Sequence, residues 1–183
     1  MQQNDIQSNS IAYFRVPGLK NLNSIKTLIK MKKFYPEVFY DNRIISAIYD
    51  AFPGAIWNGR QSNFTGKIYS VEELTLLKTE IEELGISLNL TWNNNLIQEQ
   101  DCYDRFCNTI TEIFHNGNHS ITVASPILYN YLKNNYPNYT YYKSAIAADG
   151  NIEFNSNFDF IVLNRQLNNN WDELNKIPLH ERK

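Results

Sequence analysis

The chain has 183 residues, 17 basic and 19 acidic, for a formal net charge of −2, so it is not a polycation built to coat nucleic acid. Hydrophobic residues make up 43% and charged residues 20%, the balance of a globular domain and not of a disordered chain. Its length suits one domain with a real core, and no apolar run of about 18 residues is present to cross a membrane.

Residues 1–10 are polar and lack the apolar core of a secretion signal; they read as a frayed arm ahead of a single α/β domain over 11–183. Ile11 to Val16 reads as a strand closed by Pro17-Gly18. Leu22, Ile25, Leu28 and Ile29 then recur at helical spacing with lysines between them. Asn42 to Phe52 gives a second helical stripe (Ile44, Ile45, Ile48, Tyr49), stopped by Pro53-Gly54, and Ala55-Ile56-Trp57 follows as a short strand. Ser70-Val71-Glu72-Glu73 is a capping-box pattern that opens a helix with Leu74, Leu77, Ile81 and Leu84 inside, and Gly85 sits where a left-handed end is needed. Ile86 to Trp92 alternates as a strand does. Gln100 to Phe114 reads as one helix with Tyr103, Phe106, Cys107, Ile110, Ile113 and Phe114 inward.

Ile121 to Ala124 is a strand, and Ser125-Pro126 supplies a cap and a first-turn proline for the next helix. Tyr139 to Ile146 and Phe158 to Leu163 read as further strands, with the core able to take Tyr139 and Tyr141 on one face and Tyr142 on the other. A last helix begins near Asn170-Trp171 and stops before Pro178. About six strand–helix units follow one another, with strands starting near 11, 55, 86, 120, 139 and 158. Such alternation implies a parallel sheet, either an incomplete TIM-barrel-like sheet or an open doubly wound one. A full eightfold barrel takes about 250 residues.

Several segments together resemble one superfamily: Phe52 to Arg60 (FPGAIWNGR), Gly85 to Asn94 (GISLNLTWNN), Asp104 to Asn108, Ser120 to Pro137 and Phe158 to Asn168. The pattern looks like the barrel of the collagenase-like peptidases, whose relatives include RNA- and ubiquinone-hydroxylation factors and many bacterial and phage proteins. The resemblance covers most of residues 11–177 and is a likeness of strand-and-helix pattern, without a catalytic signature. It implies that redox members hold an iron–sulfur cluster through cysteines in the later part of the barrel. Here the chain ends at Lys183 without the last two units, and its two cysteines, Cys102 and Cys107, lie five apart on one expected helix. That spacing turns them about 140° from each other, poorly placed to share a metal. No cofactor, cluster residue or catalytic residue is carried over.

Other chemistry is thin. His115 and His119 fall in HNGNH, where Gly117 and two Asn argue for a surface loop over a helical zinc pair, and no P-loop, G-x-G-x-x-G or H-E-x-x-H is present. In parallel α/β folds ligands meet the carboxyl ends of the strands. Reading those ends gives Asn58, Arg60, Asn93, Asn94, Ser125, Lys143, Ser144, Asn164 and Arg165, a polar rim without a carboxylate to act as base. It could hold an anion or cap helices in a chain with 26 Asn. Residues 6–36 carry six basic side chains and no acid, among them Lys26, Lys30 and Lys33, whereas 71–104 carry eight acids and one Lys.

The expectation is a cytoplasmic, non-catalytic binding protein that docks on a protein or RNA–protein complex, touching it through Asn58, Arg60, Asn93, Ser125 and Arg165 at the rim and Lys26, Lys30 and Lys33 on the basic helix. By analogy with phage relatives, its specific form is an inhibitor of a host defence nuclease, anti-CRISPR-like. A six-stranded sheet leaves edges that a partner, a second copy or the N-terminal arm must cover. The alternatives are an enzyme of the superfamily that needs a metal or iron–sulfur cluster, and a fragment of a longer protein.

Overall fold

The computed structural model describes residues 11–61, 66–147, 157–163, 167 and 170–176. The expected polar arm, residues 1–10, lies outside them, as do Asn164 and Arg165.

Six strands, β1 (Ala12–Pro17), β2 (Arg43–Asp50), β3 (Ser87–Trp92), β4 (Ser120–Val123), β5 (Thr140–Lys143) and β6 (Phe160–Ile161), form one sheet in the order β1-β2-β3-β4-β5-β6, with every neighbouring pair parallel. Helices α1 (Leu22–Phe34), α2 (Val71–Glu83), α3 (Arg105–Ile113), α4 (Pro126–Asn135) and the short α5 (Trp171–Asn175) complete the fold. An order that never reverses has no switch point, so the doubly wound alternative is set aside. The sheet is instead a curled half-barrel, the incomplete barrel-like form of the α/β class.

Its curl is visible in one contact. Arg15 of β1 stacks its guanidinium over the Tyr142 ring of β5 at 3.9 Å and donates to the Tyr142 hydroxyl. In a flat sheet four strand steps would separate their backbones by about 19 Å, so this face must be concave. It also carries Asn89, whose Nδ2 donates to Ser120 Oγ at 2.8 Å and whose Oδ1 accepts from Thr122 Oγ1 at 2.8 Å. The opposite, convex face carries Ile48, Leu88, Leu90, Trp92, Ile121, Val123 and Tyr141. These pack against Leu74, Leu77 and Ile81 of α2, Cys107 and Ile110 of α3, and Leu128 and Leu132 of α4 to form the core. Burying each such side chain contributes about 1.5–3 kcal/mol.

Two segments exchange roles relative to the sequence reading. Within residues 42–52 the chain forms the strand β2 (Arg43–Asp50) and not a helix, and Ile56–Gln61 is a 3-10 segment and not a strand. Ile44, Ile45 and Ile48 fit helical spacing, but a parallel strand covered on both faces is equally continuous in apolar residues, and the β-branched run decides for strand. The expected helix 100–114 breaks at Asp104. A 3-10 turn (Glu99–Tyr103) precedes α3, and Asp104 caps α3 by accepting from the Cys107 amide at 2.8 Å. Tyr103, read as inward, is exposed. The capping box of Ser70 and Glu73 is formed, and Gly85 has φ 69° at the end of α2.

Candidate functional site

The carboxyl ends of the strands are laced in order by backbone hydrogen bonds that run past the strands themselves. Asn94 N donates to Trp57 O at 2.9 Å, Ala124 N to Trp92 O at 3.3 Å, Ser144 N to Val123 O at 2.9 Å and Val162 N to Lys143 O at 2.9 Å. Asn58, Asn93, Asn94, Ser125, Lys143 and Ser144 therefore do share one edge. The side chain of Arg60 lies outside the described residues.

Most of this rim is spent on holding its own loops. Ser125 Oγ accepts from Leu128 N at 3.3 Å as the cap of α4. Ser144 Oγ accepts from Ile146 N at 3.3 Å. Asn94 bridges two loops, accepting from Leu96 N at 3.0 Å and donating to Ile56 O at 2.9 Å. Asn58 is fully buried and donates to Phe52 O. Beneath these residues Trp57 and Trp92 meet edge to face at 5.6 Å. The buried Asn58 Oδ1, an acceptor, and Trp92 Nε1, a donor, make no hydrogen bond.

The rim does hold a carboxylate, contrary to the sequence reading. With β2 placed at Arg43–Asp50, Asp50 ends that strand. It accepts from Leu19 N at 2.6 Å and from Ala51 N at 2.7 Å, so it pins the β1–α1 turn.

His119 is the second correction. It is 1% exposed, not a surface loop residue. Its Nδ1 accepts from Leu88 N at 3.0 Å, which leaves Nε2–H to donate to Glu82 Oε1 at 3.2 Å. Burial pushes its pKa down despite Glu82, so the ring is a neutral strut between the amino ends of β3 and β4. His115 is half-buried, stacked on Tyr139 at 5.4 Å. Burial also pushes the Tyr136 phenol up to about 12 and the Tyr139 and Tyr141 phenols higher still.

Cys102 lies in the 3-10 turn and Cys107 in α3; both are buried free thiols whose pKa burial raises, Cys107 by far the more. Among the described residues no group of three His, Cys, Asp or Glu side chains could hold a metal ion.

The basic helix divides into two functions. Lys26 pairs with Glu80 of α2, and Lys32 donates to the carbonyls of Tyr40, Asp41 and Arg43, at 3.3, 3.3 and 2.6 Å, clamping the start of β2. Lys30 and Lys33 are exposed, beside the exposed Phe34, Tyr35, Val38 and Tyr40. Sequence periodicity does not separate these lysines, because Glu80 is 54 residues away from Lys26.

No family model matches the chain, and neither a curated protein nor a solved structure is significantly similar to it.

Proposed function

We propose that this is a non-catalytic binding protein, a shortened barrel of the collagenase-like peptidase type, that docks on a protein or RNA–protein complex with an acidic surface. The supporting observation is where its apolar surface lies. Of twenty large hydrophobic residues exposed among the described ones, nine fall within residues 11–40. Phe34, Tyr35, Val38 and Tyr40 are all exposed in the short stretch from the end of α1 to the start of β2, close in sequence to the exposed Lys30 and Lys33. Aromatic residues are enriched in interface cores, and exposed apolar surface of this kind marks interaction sites. The two lysines steer an acidic partner. Val38 stacks on no base, which favours a protein surface as the part touched and leaves any RNA to the rest of the partner.

The test is photo-crosslinking from Tyr35 and Tyr40 in extract of the native host, with mass spectrometry of captured protein, sequencing of captured RNA and metal analysis of the purified chain. A stoichiometric partner that is lost in the Lys30→Glu/Lys33→Glu variant is the expected result. No partner, together with stoichiometric iron or zinc, would return the protein to the enzymes.

A further inference from the structure

The loop between α3 and β4 places a chemically labile pair against the His119 strut. Asn-Gly occurs twice in the chain, at Asn58-Gly59 and Asn116-Gly117. In such a pair the glycine has no Cβ to keep its backbone nitrogen from the asparagine side chain. The two sites differ in what holds them. Asn58 is fully buried and donates to Phe52 O, and Gly59 is packed against the Asn94 backbone. Asn116 is exposed, and a Cβ on Gly117 would meet nothing closer than Asn138 O at 4.0 Å. Asn116 Oδ1 accepts from Asn118 N at 3.0 Å, which closes the side chain into a turn over the Gly117 peptide. That turn draws Cγ towards the Gly117 nitrogen, and the Asn118 N–H is placed to stabilise charge that develops on Oδ1. The other end of the same amide, Nδ2, donates to Glu82 Oε1 at 2.5 Å, the oxygen that also accepts from His119 Nε2 at 3.2 Å.

We propose that Asn116 is a site of spontaneous deamidation, and that the carboxylate formed there loosens the junction between α2 and the start of β4 that Glu82 and His119 hold. The Gly117 nitrogen attacks Cγ and gives up its proton, the Cγ–Nδ2 bond breaks, and Nδ2 leaves as ammonia with that proton. Water then opens the cyclic imide to aspartate or isoaspartate. Either product sets a carboxylate where Nδ2 donated, so Glu82 loses one donor and faces a like charge. His119 is the neighbour that responds. Its remaining contacts are the Leu88 amide on Nδ1 and the Phe114 ring, edge to face at 5.2 Å. Burial disfavours a proton on the ring, Lys78 of α2 adds to that, and Glu82 opposes it. A second carboxylate beside Glu82 favours the proton. In the unconverted chain folding excludes it below about 6.5, and in the converted chain folding excludes it less. The penalty of conversion is therefore complete above that pH and narrows as pH falls.

Ageing the folded chain in mildly alkaline buffer, followed by peptide mass mapping, reads the first half. Asn116 should convert while Asn58 stays intact, and in urea both should convert. Asn116→Gln keeps an amide donor but must close a larger ring, so this loop should age unchanged in that variant. Urea unfolding of Asn116→Asp, and of the aged chain itself, reads the second half. Each should lose about tenfold in the folding constant at pH 8, the lower end for a hydrogen bond to a charged group. The gap from the unaged protein should shrink by pH 5.5. Equal conversion of Asn58 and Asn116 in the folded chain, or none at Asn116, would overturn the proposal. So would a stability gap that is absent at pH 8 or the same at both pH values.

Discussion

Arg15 and Tyr142, 127 residues apart, meet across the concave face of the sheet. The guanidinium covers the ring while Phe160 stacks on its other side, centroids 4.7 Å apart and 13° from parallel. The three side chains come from β1, β5 and β6, so this stack ties the first strand to the last two. Because Arg15 is exposed, the contact is worth about 1 kcal/mol. Arg15→Ala should lower the urea midpoint by about that much with the slope unchanged, and Tyr142→Leu should lower it further by removing the Phe160 partner as well. A slope that changes would instead mean that the sheet had opened.

The histidine strut makes stability depend on pH. Folding lowers the His119 pKa from its ordinary 6.5 because the ring is buried, with Glu82 opposing the shift and Lys78 adding to it. Below about 6.5 the unfolded chain binds a proton that the folded one does not, so the contribution is complete above that pH and is lost as pH falls. The slope is at most about 1.4 kcal/mol per pH unit. His119→Asn keeps an acceptor for Leu88 N and removes the titration. Urea unfolding between pH 5 and 7.5 should show a flatter dependence in the variant; equal slopes would count against the strut.

What the sequence discloses and what it hides follow the range of the interactions. The capping box of Ser70 and Glu73, the turn at Gly85 and the cap at Ser125 depend on neighbours within a few residues and are legible in the sequence. The number and parallel sense of the strands are legible too, because alternation of elements is a property of the whole chain. Ile44, Ile45 and Ile48 are misread because a doubly covered strand has no period of two to betray it. The error propagates: with β2 misplaced, Asp50 is missing from the rim and Asn58 is taken for a strand end. His119 is misread because Gly117 and the flanking Asn describe the loop before it, while its partners, Leu88 and Glu82, lie in distant elements. Leu28 fits the apolar stripe by spacing, and only the position of α1 at the edge of the sheet leaves it exposed.

The two thiols should be inert in the folded protein. Burial raises the pKa of each, with Asp101 and Glu99 adding to the shift at Cys102, so the thiolate population at pH 8 is small. Iodoacetamide at pH 8 should modify neither until urea unfolds the chain, after which it should modify both. Rapid labelling of one thiol per folded chain would contradict this and expose a reactive cysteine.

Gly59 is the most constrained position of the candidate rim. Its φ of 67° and ψ of −150° fall in a region open essentially to glycine alone. A Cβ there would also stand 3.2 Å from Asn94 Cα and 3.4 Å from Asn94 N, both backbone atoms unable to swing aside. The kink carries Asn58 into the interior and lets Asn94 N reach Trp57 O at 2.9 Å. Gly59→Ala should therefore cost about 2–3 kcal/mol. It should also lift the edge-to-face Trp57–Trp92 pair, so the near-ultraviolet circular dichroism of the tryptophans should weaken before global unfolding. Gly85→Ala gives the comparison: φ is 69° there, but nothing stands within 4 Å of the added Cβ. It should cost only the backbone strain, about 1 kcal/mol, with the tryptophan signal intact; equal losses at the two glycines would show that the close approach to Asn94 adds nothing.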